Sequence, residues 1–129
     1  MASKPEEPES PARRRVLIVE DEALIALDME ATLRQQGYEI VGLATSVREA
    51  IRLLDEMRPD AAVLDINLGQ EKVFVLADAL AERDVPFVFV TGYEPEILPP
   101  RHRHRPTAVK PCRGRLLVEL LTRAAILPR

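Results

Sequence analysis

The stretch Ala61-Ala62-Val63-Leu64-Asp65-Ile66-Asn67-Leu68-Gly69 runs four small or apolar residues straight into a carboxylate, then into Asn67 and Gly69. An apolar run without polar alternation reads as a strand buried on both faces, the kind found inside a parallel sheet. Asp65 falls where that strand ends, and open α/β sheets place their ligand sites at the carboxyl ends of strands. Taken alone, such an aspartate is most simply a cap for the next turn. Three other apolar runs change its weight, because they finish on Glu20-Asp21, on Thr91 and on Lys110.

Working toward the N-terminus, Val16-Leu17-Ile18-Val19 is a β-branched run that ends at Glu20-Asp21-Glu22. A helix follows, with Leu24, Leu27 and Ala31 as its expected inner face, Ile25 and Met29 beside them, and Gly37 at its end. Tyr38 to Ala44 reads as a second strand. Ser46 and Glu49 have capping-box spacing for a second helix, which buries Val47, Ala50, Ile51 and Leu54 and stops at Pro59. Residues 1–14 begin with a Pro-, Glu- and Ser-rich segment and read as a disordered tail, leaving 15–127 as one folded domain.

Working toward the C-terminus, a third helix is expected over about Glu71 to Arg83, with Val73, Leu76, Ala77 and Leu80 inward. Pro86 introduces the strand Phe87-Val88-Phe89-Val90, which delivers Thr91-Gly92-Tyr93. Pro95, Pro99, Pro100 and Pro106 then leave room only for a short or broken fourth helix at about 95–101. Thr107-Ala108-Val109 is a short fifth strand leading to Lys110-Pro111. A final helix over about 113–126 is expected to bury Leu116, Leu117, Leu120, Leu121 and Ala124. Strands alternating with helices in this way predict a doubly wound, five-stranded parallel α/β sheet with helices on both faces.

Composition narrows the function classes. A net charge of −3 gives no case for non-specific binding to nucleic acid or membrane, and no apolar run reaches the roughly 18–20 residues of a membrane span. No helix-turn-helix pattern is present, and no effector domain is expected after the last helix. The lone Cys112 fits a reducing cytoplasm and reads as a packing residue. His102 and His104, in Arg-His-Arg-His-Arg, lack the companions a metal site needs and read as part of a solvated basic loop.

The strand ends carry the chemistry. In a parallel sheet, Glu20, Asp21, Asp65, Thr91 and Lys110 share one edge. Three adjacent carboxylates raise one another's pKa, and a divalent cation relieves that cost; an all-oxygen set suits Mg²⁺. Lys110 adds a compact positive charge and Thr91 a hydroxyl, the parts needed to spread charge over a phosphoryl group in transfer. Asp65 is the natural nucleophile, since an aspartyl carboxylate can take a phosphoryl group as an acyl phosphate.

The chain resembles the response-regulator receiver domains of two-component signalling. The segments VLIVEDE, AAVLDINLG, FVFVTGY and VKP carry the likeness, in the family's order and at about its spacing. PFVFVTGY and the approach to Lys110-Pro111 resemble a proteobacterial subgroup with a PFxFATGY-type fourth strand. The resemblance implies a receiver or flavodoxin-like fold and a phosphoacceptor rather than an enzyme, beyond self-phosphorylation and self-dephosphorylation. It implies that Asp65 takes its phosphoryl group from a histidine kinase or a histidine phosphotransfer protein. Asp21 and Asp65 would bind Mg²⁺, Glu20 would act through water, Asn67 would offer its carbonyl, Lys110 would pair with the acyl phosphate, and Thr91 would swing toward it. A downstream protein partner and a monomer or weak homodimer are expected, and the X-Pro bond after Lys110 is cis in the family.

The sequence departs from the family's pattern in places. Glu20 replaces the more frequent Asp, Gly69 a Pro, and Cys112 a Phe. Thr107 stands where most members have the switch aromatic, which leaves Tyr93 as the candidate for that role. Rival readings are weaker. An aspartyl-phosphate phosphohydrolase wants a second acid where Asn67 stands, and a nucleotide or flavin module wants a Gly-rich turn that VLIVEDEAL lacks. A receiver that binds its partner without phosphorylation stays open.

Overall fold

The computed structural model describes residues 14–92, 98–112 and 114–126. Residues 1–13 of the expected 1–14 tail, Tyr93 and the start of the expected fourth helix lie outside the described residues. The elements run β1 (Arg15–Val19), α1 (Ala23–Gln35), β2 (Glu39–Ala44), α2 (Val47–Met57) and β3 (Ala61–Asp65). A hairpin of β4 (Asn67–Leu68) and β5 (Glu71–Lys72) follows, then α3 (Phe74–Glu82), β6 (Phe87–Thr91), β7 (Thr107–Val109) and α4 (Gly114–Ile126). The main sheet has the order β2-β1-β3-β6-β7, and every pairing in it is parallel.

Alternation along the strands divides the core in two. Val16, Ile18, Val63, Val88 and Val90 face α1 and α4. Leu17, Val19, Leu64, Phe87 and Phe89 face α2 and α3. All five residues of β3 are buried, as a strand covered on both faces requires. The doubly wound reading of the sequence is the architecture observed.

Several local readings are corrected. Helix α1 buries Ala26, Met29 and Leu33, whereas Leu24 is 82% exposed, Leu27 54% exposed and Ala31 also on the surface. Both stripes have helical spacing, so periodicity alone does not rank them. Packing does, since Ala26, Met29 and Leu33 join Val16, Ile18 and Val63 of the sheet and Leu117 and Leu120 of α4 in one cluster; at the α1–α4 contact Gly114 lies so close over Thr32 that a Cβ there would clash with the Thr32 methyl. Leu116, expected inside, is half exposed, while Leu117, Leu120, Leu121 and Ala124 are buried as expected.

The third helix starts at Phe74, later than the expected Glu71. Gly69, at φ +63°, allows a two-residue turn that pairs Asn67 with Lys72 and Leu68 with Glu71 in antiparallel register. Ser46 Oγ accepts from the Glu49 N–H at 3.1 Å, one half of the expected capping box. The Glu49 carboxylate accepts from the Thr45 N–H at 2.9 Å rather than from Ser46. Of the segment expected to carry a short or broken helix, the described part holds one 3-10 turn, Pro100–His102.

His102 is the largest departure. It is no part of a solvated loop: its side chain is 2% exposed and packs among Phe74, Phe87 and Phe89, with ring centroids 5.9–6.5 Å away. The three phenylalanines form an apolar pit, and the 3-10 turn sets an imidazole into it whose Nε2 lies 2.8 Å from Asp78 Oδ1. His104 is exposed, as expected.

The Gly114 contact is testable. Gly114→Ala is expected to destabilise the protein by about 1–3 kcal/mol in denaturant unfolding, the usual range for overpacking, and Thr32→Ala in the same chain to recover most of that loss.

Candidate functional site

Register places the chemistry-bearing residues. Asp65, the last residue of β3, pairs with Val90, and Thr91 at the end of β6 pairs with Val109 at the end of β7. Glu20 follows β1 directly, its N–H donating to the Ala44 carbonyl at 2.9 Å, and Lys110 follows β7, its N–H donating to the Thr91 carbonyl at 2.8 Å. Four strand ends thus converge on one edge of the sheet.

The side chains meet there. Carboxylate oxygens of Glu20, Asp21 and Asp65 lie within 4.8 Å of one another. Lys110 Nζ stands between two of these groups, 3.0 Å from Glu20 Oε1 and 3.1 Å from Asp65 Oδ2. Glu20, Asp65 and Thr91 are buried, whereas Asp21 is exposed. The Glu22 N–H donates to Glu20 Oε2 at 3.2 Å, and the Asn67 N–H to Asp65 Oδ1 at 3.3 Å.

Burial sets the electrostatics. It pushes the Glu20 carboxyl up to about 7, with the Asp65 charge adding to the rise and Lys110 opposing it. Burial pulls the Lys110 ammonium down, yet its pairing with the Glu20 and Asp65 carboxylates outweighs that and leaves its pKa raised. One cation does not balance three carboxylates, and Glu20 Oε1, facing Lys110, receives no well-aligned hydrogen bond among the described residues. An oxygen-only cluster with surplus negative charge fits a hard divalent cation such as Mg²⁺.

A cleft of about 610 Å³ opens over the cluster. Asp21, Asp65 and Lys110 line its polar end, and Ile25, Met29, Pro111 and Cys112 its apolar end. The Lys110-Pro111 bond is cis, as the resemblance implied. Cys112 packs partly buried against the α1–α4 side of the core, and burial pushes its thiol pKa up.

Glu20, Asp21, Asp65, Thr91 and Lys110 are therefore brought to one edge, as the sequence reading expected. Asn67 stands beside them on the hairpin, its side chain accepting from Lys72 Nζ at 2.5 Å. Lys72 was absent from that reading; a glycine between two short apolar–polar pairs was the available sign of a hairpin. Thr107 is exposed on β7, with its hydroxyl donating to the Arg105 carbonyl at 3.4 Å, and it is not part of the cluster.

A parallel five-stranded sheet with a buried acidic cluster and a lysine at its strand ends defines a receiver-type signalling domain. The chain belongs to the response regulator receiver domain family, whose model matches residues 16–99. Among solved structures it is similar to SdrG from Sphingomonas melonis Fr1, with 39% identity and a TM-score of 0.79 over 90% of this chain and 98% of that one. It is also similar to the response regulator PhyR from Brucella abortus, with 28% identity and a TM-score of 0.74 over 89% of this chain and 50% of that one. The transcriptional regulatory protein PdtaR of Mycobacterium tuberculosis is 38% identical over 91 residues, 70% of this chain and 44% of that protein. The chain thus spans less than half the length of that curated relative. Receiver domains bind Mg²⁺ through acidic residues, and no described helix is long and apolar enough to cross a membrane.

The raised Glu20 pKa has a signed consequence. A folded carboxyl pKa above its ordinary 4.5 favours the protonated form, so this contribution to metal-free stability is full below 4.5 and lost as pH rises toward about 7. Cation binding runs the other way, because the ligand set must be deprotonated. Mg²⁺ affinity is expected to fall by up to about tenfold per pH unit below the Glu20 pKa, and Glu20→Gln to flatten that dependence in calorimetric titrations.

Proposed function

We propose that this receiver is a Mg²⁺-dependent phosphoacceptor in a histidine–aspartate relay, with Asp65 as the residue modified. The observation that carries the reading is Lys110 Nζ set between Glu20 and Asp65 within a cluster of three carboxylates. Asp65 is buried yet lines the cleft, so a donor can reach it while bulk water is partly excluded.

In the transfer, an oxygen of the Asp65 carboxylate forms a bond to phosphorus as the bond to the donor's imidazole nitrogen breaks. The imidazole keeps that electron pair and takes up a proton. Mg²⁺ held by Asp21, Asp65 and the Asn67 carbonyl, with Glu20 acting through water, would supply charge neutralisation for the phosphoryl oxygens. Lys110 offers a second positive charge that is already desolvated and needs little reorganisation. Thr91 offers a hydroxyl at the next strand end. A phosphoryl group on Asp65 adds about −1.5 to −2 charges. The charge draws Thr91 and Lys110 and thereby shifts the populations of the 93–111 face toward its partner-binding form.

The donor is a histidine kinase or a phosphotransfer protein, and the output is a protein contact or a phosphate sink, in the cytoplasm. Tyr93 and Thr107 are the proposed switch positions, and 15–127 the proposed extent of the domain. A second reading, a protein-interaction module that works without phosphorylation, is favoured by one observation: Thr107 is exposed where the family's switch aromatic is expected.

Intact mass after incubation with acetyl phosphate, and in parallel with a candidate kinase, separates the two. The phosphoacceptor reading expects one added phosphoryl group that requires Mg²⁺ and is lost in Asp65→Asn. Lys110→Met is expected to slow its appearance by about tenfold or more, from loss of preorganised charge. No mass gain from either donor, in a folded protein that binds Mg²⁺, sinks this reading in favour of the interaction module.

A further inference from the structure

Asp78 on α3 is a carboxylate that ties the described 98–106 segment to the body of the fold. Its Oδ1 accepts from Arg101 Nε at 2.7 Å, and its Oδ2 accepts from the same guanidinium at 3.0 Å. His102 Nε2 reaches that same Oδ1 at 2.8 Å. The turn is closed by the His102 N–H donating to the Pro99 carbonyl at 2.8 Å and the Arg105 N–H donating to the His102 carbonyl at 3.0 Å. Arg105 lays its guanidinium over the Phe87 ring, 4.5 Å from the centroid.

The imidazole in this arrangement has one ring nitrogen with a partner and one without. A carboxylate only accepts, so Nε2 carries the proton and donates to Asp78, leaving a lone pair on Nδ1. Nδ1 is buried and has no hydrogen-bond partner among the described residues. A second proton would put an N–H where no acceptor stands, and a charge among three phenyl rings. Among the described residues, the charged groups facing the ring are Asp78 from α3 and Arg101 and Arg105 from its own segment, and β6 and the first turn of α3 present Phe87, Phe89 and Phe74. Burial lowers the His102 pKa below its ordinary value, with the two arginines adding to the effect and Asp78 opposing it.

We propose that Asp78, Arg101 and His102 form an acid-sensitive latch: the 98–106 segment stays on α3 while His102 is neutral, and proton uptake by His102 releases it. The sign follows from the lowered pKa. The closed segment binds the proton less well than the open one, so its stability is full above the ordinary imidazole pKa of 6.5 and is lost as pH falls through it. Release bears on signalling because Phe87, Phe89 and Thr91 alternate onto one face of β6. The pit that holds His102 is thus built from the strand that ends in the site's hydroxyl. The latch does not depend on the phosphoacceptor reading, since no step of it involves Asp65 or a bound cation.

Amide hydrogen exchange of His102, Arg103 and Arg105 tests it, in the unphosphorylated, metal-free chain, after correction for the intrinsic pH dependence of exchange. Between about pH 7.5 and about pH 5.5 the open population is expected to rise, by at most about tenfold one pH unit below the ordinary imidazole pKa, while amides of β1 and β3 stay protected. His102→Phe, which keeps the ring in the pit without the titrating group, is expected to abolish the rise. Asp78→Asn, which removes the shared charge, is expected to open the segment at both pH values. An unchanged exchange rate in the wild type, or an equal rise in His102→Phe, overturns the proposal.

Discussion

Three clustered carboxylates, two of them paired with one lysine, are the constraint on which this structure depends. Glu20 and Asp65 are buried, and like charges at that separation resist joint ionisation. Lys110 relieves part of the cost by standing about 3 Å from an oxygen of each. Its own burial works against it, and the two acids hold its charge in place. Neither side of the arrangement is comfortable alone, and the residual negative charge is what makes the cluster receptive to a divalent cation.

The sheet exists, in functional terms, to deliver these groups from four separate strands. β3 lies at the centre of the order β2-β1-β3-β6-β7, flanked by the strands that carry Glu20 and Thr91, with Lys110 one strand farther out. Because all pairings are parallel, the ends fall on the same side, and a one-residue slip in any register would turn a site group toward a helix. The two halves of the core fix that register from both faces. The receiver family's chemistry is a consequence of strand ends that cannot be elsewhere.

Much of this was legible in the chain because the relevant signals are local and mutually reinforcing. Buried parallel strands announce themselves as unbroken apolar runs, so Ala61–Asp65 and Phe87–Thr91 could be read with their terminal groups attached. The inner face of α1 was not legible, since Leu24–Leu27–Ala31 and Ala26–Met29–Leu33 are equally periodic and only tertiary packing against the sheet and α4 chooses between them. The hairpin after Asp65 was missed because two-residue strands have no periodicity to detect; its sign was a single glycine at positive φ. His102 misled for a different reason. An Arg-His-Arg-His-Arg run looks solvated, but the three phenylalanines that receive the imidazole come from α3 and β6, as many as 28 positions away in the chain.

The structure therefore has two charged centres with different logic, a cluster at the strand ends that gathers excess negative charge and a tie on α3 that balances it. The central claim concerns the first, and the most direct measurement is to locate the covalent bond. Borohydride reduction of the phosphorylated, Mg²⁺-loaded chain converts an aspartyl phosphate to homoserine, which peptide mass spectrometry then places in the sequence. The account predicts homoserine at position 65 and nowhere else. Phosphoryl groups found on His102 or His104, or a reduced residue at position 20 or 21, would contradict it.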